Sequence, residues 1–201
     1  MIEFTDILYG HIRFPDWITP FFGIPEFARL RGVRLSNVDS FQFKDFAGPS
    51  RWEHGIAVAW LALRCAEARQ LPERQRMELA LAALLHDVAT PPFAHTAEYV
   101  LEAFDHELES QHLLTGAIGG ISDSGTAVFA SQVPQFLTSC RTLSRKSGIR
   151  IDPDRVAEMI VGDGDLGFLV HGSVDLDNAD NVTRACCYLG IDVDRTVPIA
   201  L

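Results

Sequence analysis

The chain has 201 residues, of which 47% are hydrophobic and 22% charged, enough apolar material for one domain with a well-buried core. No apolar run reaches the ~18–20 residues that span a bilayer, and the opening MIEFTDILYGHIRF lacks the apolar stretch and small-residue cleavage site of a secretion signal. A net charge of −10 argues against strong nucleic-acid binding, which needs clustered Lys and Arg, but not against a small phosphorylated substrate.

Taken in chain order, the pattern is helical nearly throughout and the class is all-α. Alternating, β-branched segments are scarce, and a short strand or hairpin is expected only near residues 38–47, around Phe41 to Phe46. Pro49 and Ser50 stand where a helix would start, and Arg51 to Arg69 carries small or apolar residues in helical spacing. Pro72 and Glu73 open a second helix, expected to run to Asp87 and apolar on nearly all faces from Leu79, as a buried helix is. Pro91 and Pro92 forbid its continuation. Short helices are expected from Phe93 to Phe104 and from His106 to Gly116, with a loop at GGISDSG, residues 119–125. Further helices follow at Val133 to Ser144 and Asp154 to Val161, the latter with Asp152 as cap and Pro153 in its first turn. GDGDLG (162–167) is a turn; read as a calcium loop from Asp163 it would need a Glu at its twelfth position, where Val174 stands. The last helix covers Asp175 to Leu189. GAIGG (116–120) lacks the Lys-Ser/Thr of a phosphate loop, and Trp52 and Trp60 read as core rather than as a base-stacking platform. Cys65, Cys140, Cys186 and Cys187 show no C-x-x-C spacing, so they are expected to be reduced thiols of a cytoplasmic protein.

Within this greasy framework the ending of the second helix, LLHDVATPPFAH, is out of place. A buried ionised Asp87 beside His86 is costly unless partnered, and a divalent cation at the helix end would satisfy both. The plain alternative is a His-Asp hydrogen bond capping a core helix. Two other stretches favour the cation. His54 sits on the inward stripe of its helix, ahead of Ala57, Val58 and Leu61. Near the C-terminus SVDLDNADNVTRA sets Asp177, Asp180, Asn181 and Arg184 on one helix face, opposite Leu176, Ala179 and Val182. Two imidazoles and two carboxylates suit Mn, Fe, Mg, Ni, Co or Zn with open positions.

RWEH, LLHD and VDLD in this order resemble the HD superfamily of metal-dependent phosphohydrolases, and most of all its deoxynucleoside triphosphate triphosphohydrolases. The similarity runs from PEFARLRGVR to ACCYLGI and includes FAGPSRWEH and the HD-x-x-x-PPF-x-H run. It implies a helical bundle with its metal site between helices: one HD domain over 1–201, with a lead-in segment (1–50), a metal-binding core (51–189) and a tail (190–201). It implies one divalent ion on His54, His86, Asp87 and Asp177, Asp175 being the residue most easily confused with the last. A second Mg bridging substrate phosphates is compatible with it. It implies that Arg51 binds substrate phosphate, with Arg184 beside it in the same role. His95 and its acidic partner Glu98, with His106, are implied to be catalytic. Thr90, Asp175, Asp180 and Asn181 are expected to support these groups.

The activity implied is metal-assisted hydrolysis of a nucleotide, with nucleoside and triphosphate as products, by a homo-oligomeric dGTPase-like enzyme. Three departures keep other readings open. Thr90 stands where some relatives have a further histidine. Asn178, Asn181 and Ala185 replace a basic residue, a tyrosine and an aspartate, and relatives continue well beyond residue 201. An HD-type 5′-nucleotidase or phosphodiesterase, and a catalytically silent nucleotide-binding or partner-binding module, are the alternatives.

Overall fold

The computed structural model describes residues 1–35, 48–92, 104–116 and 134–194. The hairpin expected near residues 38–47, the helix expected from Phe93 and the loop at 119–125 therefore lie outside the described residues. The helical class holds, with one correction. A two-stranded antiparallel hairpin opens the chain, β1 (Ile2–Asp6) pairing with β2 (Gly10–Phe14) in the register Ile2 to Phe14 and Asp6 to Gly10. Its period-two pattern is present in the sequence: Ile12 and Phe14 are buried, Ile2 and Phe4 are half-buried, and the residues between face outward. Five residues per strand, interrupted by Asp and His, make too short an alternation to outweigh the helical pattern around it. Gly10 adopts φ +68° at the turn, a conformation that Gly supplies without strain.

After 3₁₀ turns at Thr19–Gly23 and Arg29–Gly32, separated by the short helix α1 (Pro25–Ala28), come the two central helices, α2 (Arg51–Ala68) and α3 (Glu73–Leu85). Ser50 and Glu53 start α2 with a reciprocal capping box: the Ser50 hydroxyl accepts from the Glu53 N–H, and the Glu53 carboxylate accepts from the Ser50 N–H. Every residue of α3 from Leu79 to Leu85 is fully buried, because α2 covers one side and α6 another. The helix stops at Leu85, two residues before the expected end, and His86 and Asp87 occupy the turn that follows. The remaining helices are α4 (His106–Thr115), α5 (Gln135–Ser147), α6 (Pro153–Ile160) and α7 (Leu176–Tyr188). α4 packs on α6, and α7 lies against α2.

Two contacts set the geometry around the first turn of α2. Gly55 allows close approach: a Cβ there would stand 2.9 Å from the Phe27 ring and 3.0 Å from the Leu84 carbonyl oxygen. Phe4, Phe14, Phe22 and Trp52 form an edge-on cluster with ring centroids 5.1–5.9 Å apart, which seats the hairpin against the start of α2.

Candidate metal centre

The end of α3, the first turn of α2 and the first turn of α7 meet at one point. One ligand-type atom each from His54, His86 and Asp87 lies within 4.8 Å of the other two. Asp177, from the first turn of α7, places Oδ1 2.8 Å from His54 Nε2 and 3.6 Å from His86 Nε2. The neighbouring Asp175 is spent as the N-cap of α7, its two oxygens accepting from the N–H groups of Asn178 and Gly172 at 2.7 Å.

Hydrogen bonding fixes how the rings point. His54 Nδ1 lies 2.7 Å from Asp180 Oδ2, and His86 Nδ1 lies 2.8 Å from the Ala83 carbonyl oxygen. Carboxylates and carbonyls only accept, so both Nδ1 atoms carry protons and both Nε2 atoms turn towards Asp87 and Asp177. Two imidazole nitrogens and two carboxylates thus converge, and the convergence demands positive charge. Burial disfavours charge on both rings. Hydrogen bonds to Asp177 and Asp180 outweigh it for His54, the charges of Asp87 and Asp177 outweigh it for His86, and both pKa values rise. Burial likewise opposes ionisation of Asp87 and Asp177, yet the charge of His86 holds both carboxyls below the usual range, helped by Arg51 and by the His54 hydrogen bond respectively.

Protons do not complete the site. His86 Nε2 and Asp87 Oδ2 are both buried 3.3 Å apart, but they are not aligned as a hydrogen bond, and among the described residues neither has another partner of that kind. Two orphaned buried atoms that are both of metal-binding type fit a cation better than a capped helix end. These residues, with Asp177, are the ones that could hold a divalent ion.

The other expected site residues are placed as follows. Arg51 is buried and donates from Nη1 to Asp87 Oδ1, which also accepts the Thr90 hydroxyl at 3.0 Å. His106, at the start of α4, brings Nε2 to 3.7 Å from Asp87 Oδ1. His95 and Glu98 lie outside the described residues. Asn181 is exposed. Two expectations for α7 need correcting. The polar residues do not share one face opposite the apolar ones: Asp180 and Arg184 are buried with Leu176 and Thr183, whereas Asn181 and Val182 are exposed. Arg184, expected to bind phosphate, is 2% exposed and spends its fork on Asp180 and Asp6 at 2.9 Å, a geometry that serves His54 rather than a substrate.

Sequence reasoning missed the clamps on the turn after α3. Arg29 donates from Nη2 to the carbonyl oxygens of Val88 and Thr90 at 2.6 and 2.7 Å, and Ser110 links the Ala89 N–H to the His86 carbonyl oxygen. The sequence carries no signal for either residue beyond the position of Arg29 within FARLRGV.

This arrangement has a counterpart among known proteins. A family model described as the HD domain matches residues 51–118, which contain His54, His86 and Asp87. Over those residues the chain is similar to the HD domain. Several relatives of the chain are named deoxynucleoside triphosphate triphosphohydrolases. The "SAMHD1 homolog" of Dictyostelium discoideum is 27% identical over 199 residues, covering 92% of this chain and 36% of that protein. SAMHD1 of Gallus gallus is 24% identical over 219 residues, covering 95% and 34%. SAMHD1 of Mus musculus is 33% identical over 102 residues, covering 47% and 15%. The chain thus spans about a third of the length of the first two. Among the described residues no helix is long and apolar enough to cross a membrane.

Proposed function

We propose that this HD domain hydrolyses a phosphoester bond of a nucleotide, with a (deoxy)nucleoside triphosphate as substrate and nucleoside plus triphosphate as products. The observation that carries the reading is the convergence of His54 Nε2, His86 Nε2, Asp87 and Asp177, with both Nδ1 protons committed elsewhere and two buried atoms unpartnered. The triphosphohydrolase names of the relatives supply the substrate class. A divalent cation held by those four residues would supply Lewis acidity, acidifying water and polarising a phosphoryl oxygen.

The chain's own residues do the rest. Asp180 and the Ala83 carbonyl hold the two imidazoles with Nε2 facing the site. Arg51 and Thr90 engage Asp87 Oδ1 and leave Oδ2 to the cation. Arg51 also brings to the site a fixed positive charge, and its forked guanidinium suits phosphate oxygens. His106, half-buried at the rim, is placed to move a proton near Asp87. On the resemblance alone, His95, tuned by Glu98, moves a proton to the leaving oxygen or from the attacking water. The reading includes a cytoplasmic setting, consistent with four free thiols, and a dGTPase-like homo-oligomer.

The test is metal analysis of the purified chain followed by incubation with a nucleotide panel, scoring phosphate, pyrophosphate and triphosphate separately. Triphosphate release supports the proposal. Phosphate from monophosphates moves the activity to a 5′-nucleotidase, cleavage of diesters to a phosphodiesterase, and bound metal without turnover to a silent nucleotide-binding or partner-binding module.

A further inference from the structure

The buried charges extend beyond the ligands in one direction. Asp180 Oδ2 bonds His54 Nδ1, and both Asp180 oxygens accept from Arg184, at Nε and Nη2, each at 2.9 Å. Arg184 Nη2 also donates to Asp6 Oδ2 at 2.9 Å, and Asp6 is the last residue of β1. The whole file is buried: side-chain exposure is 1% for His54, 0% for Asp180, 2% for Arg184 and 8% for Asp6. The other oxygen of Asp6 accepts from the N–H groups of Leu8 and Tyr9 and so fixes the hairpin turn. Tyr9 in turn stacks on Trp60 of α2, with ring centroids 5.2 Å apart.

Each link has a physical task. A metal-binding imidazole needs its second nitrogen anchored, and the anchor sets ring orientation and basicity. Asp180 supplies that anchor, but a carboxylate on one helix has rotamers to choose from. The two-pronged bond from Arg184 removes the choice, and the buried guanidinium is shared between two carboxylates. Asp6 supplies the second carboxylate. It lies 45 residues ahead of the matched HD segment, which begins at Arg51.

We infer that Asp6 and Arg184 are positioning residues that set His54 for metal binding through Asp180, making the N-terminal hairpin part of the metal centre. The inference rests on the metal-binding reading above. It predicts that metal affinity, and not only stability, depends on a residue of β1.

The experiment uses the full chain and two probes, Mn²⁺ for affinity by titration calorimetry and Co²⁺ for its visible absorption. Asp6→Asn is the informative variant, because its amide oxygen can still serve Leu8 and Tyr9 while its NH₂ faces Arg184. Loss of such outer partners typically costs 10–100-fold in metal affinity. One link further out, about three- to tenfold is expected for Asp6→Asn, with a changed Co²⁺ band and recovery of both in Asp6→Glu. Arg184→Lys, which keeps the charge and loses the fork, should weaken Mn²⁺ about tenfold and serves as the second reading should Asp6→Asn fail to fold. Arg155→Gln, which loosens the tie between α6 and Glu78 of α3, is the control for general destabilisation and should leave both probes unchanged. Folded Asp6→Asn and Arg184→Lys with wild-type affinity and spectrum would overturn the relay while leaving the metal site standing. Equal weakening in Arg155→Gln would do the same. Failure of the wild type to bind either ion removes both readings together.

Discussion

Asp87 carries the heaviest load of any side chain at the site, since it faces His86, Arg51, Thr90 and His106 at once. Asp87→Ala is expected to eliminate both bound metal and turnover, whereas His95→Ala keeps the metal and loses about 10²–10⁴-fold in rate; metal content and kcat measured on the same samples check both. A wild-type rate in His95→Ala removes that residue from the mechanism. Away from the site, burial pushes the Cys140 thiol up from its ordinary 9.0 to about 12. Its folded-state pKa exceeds its unfolded one, so its contribution is intact below pH 9 and declines as pH rises towards 12. In that window wild type should lose about 1.4 kcal/mol per pH unit more than Cys140→Ala, as read from urea unfolding at pH 8, 9.5 and 10.5. The ligating types were legible because few physical reasons place two histidines and an HD pair in an apolar background. The use of Arg184 was not. An arginine one turn after an aspartate reads equally well as a phosphate ligand or as an internal partner, and only the position of Asp6, 178 residues earlier, separates the two.

Helix starts and the two-proline stop were written in local chemistry, so most element boundaries were readable to within two or three residues. The N-terminal hairpin was not, because its stability comes from the aromatic cluster with Trp52 and Phe22, a tertiary contact without local trace. The pairing of α2 with the end of α3 depends on Gly55. Alanine there gains helix propensity, about 1 kcal/mol, but its methyl meets a buried ring and a backbone oxygen at 2.9 and 3.0 Å. Overpacking typically costs about 1–3 kcal/mol, so a net loss of about 1 kcal/mol is expected for Gly55→Ala, seen as a lower Tm. A raised Tm would mean that Phe27 moves aside freely. The Glu78 carboxylate ties α3 to the segment opening α6, accepting from Arg74, from Arg155 and from the Asp152 N–H. That tie explains how a carboxyl group sits fully buried in α3.

For the whole molecule, a centre where three segments meet would make a cation held there a structural crosslink as well as a reagent. At 100-fold excess over Kd, a ligand bound only by the folded state contributes about 2.7 kcal/mol, or roughly 5–10 °C in Tm for a chain of this size. Differential scanning with Mn²⁺ and with EDTA should show that gap; equal melting temperatures would mean that no ion is held. The four proposed ligands are also unequally shielded, with side-chain exposure of 1% for His54, 7% for His86 and 3% for Asp87 but 33% for Asp177. On the metal-binding reading, ion traffic is one-sided: the doorway stands at the start of α7, and the other three donors form its back wall. Asp177→Asn, which removes the charge at the doorway, should quicken escape of bound Mn²⁺ into a chelator more than it slows capture. Stopped-flow washout would register that asymmetry as a leaky gate in front of an intact vault.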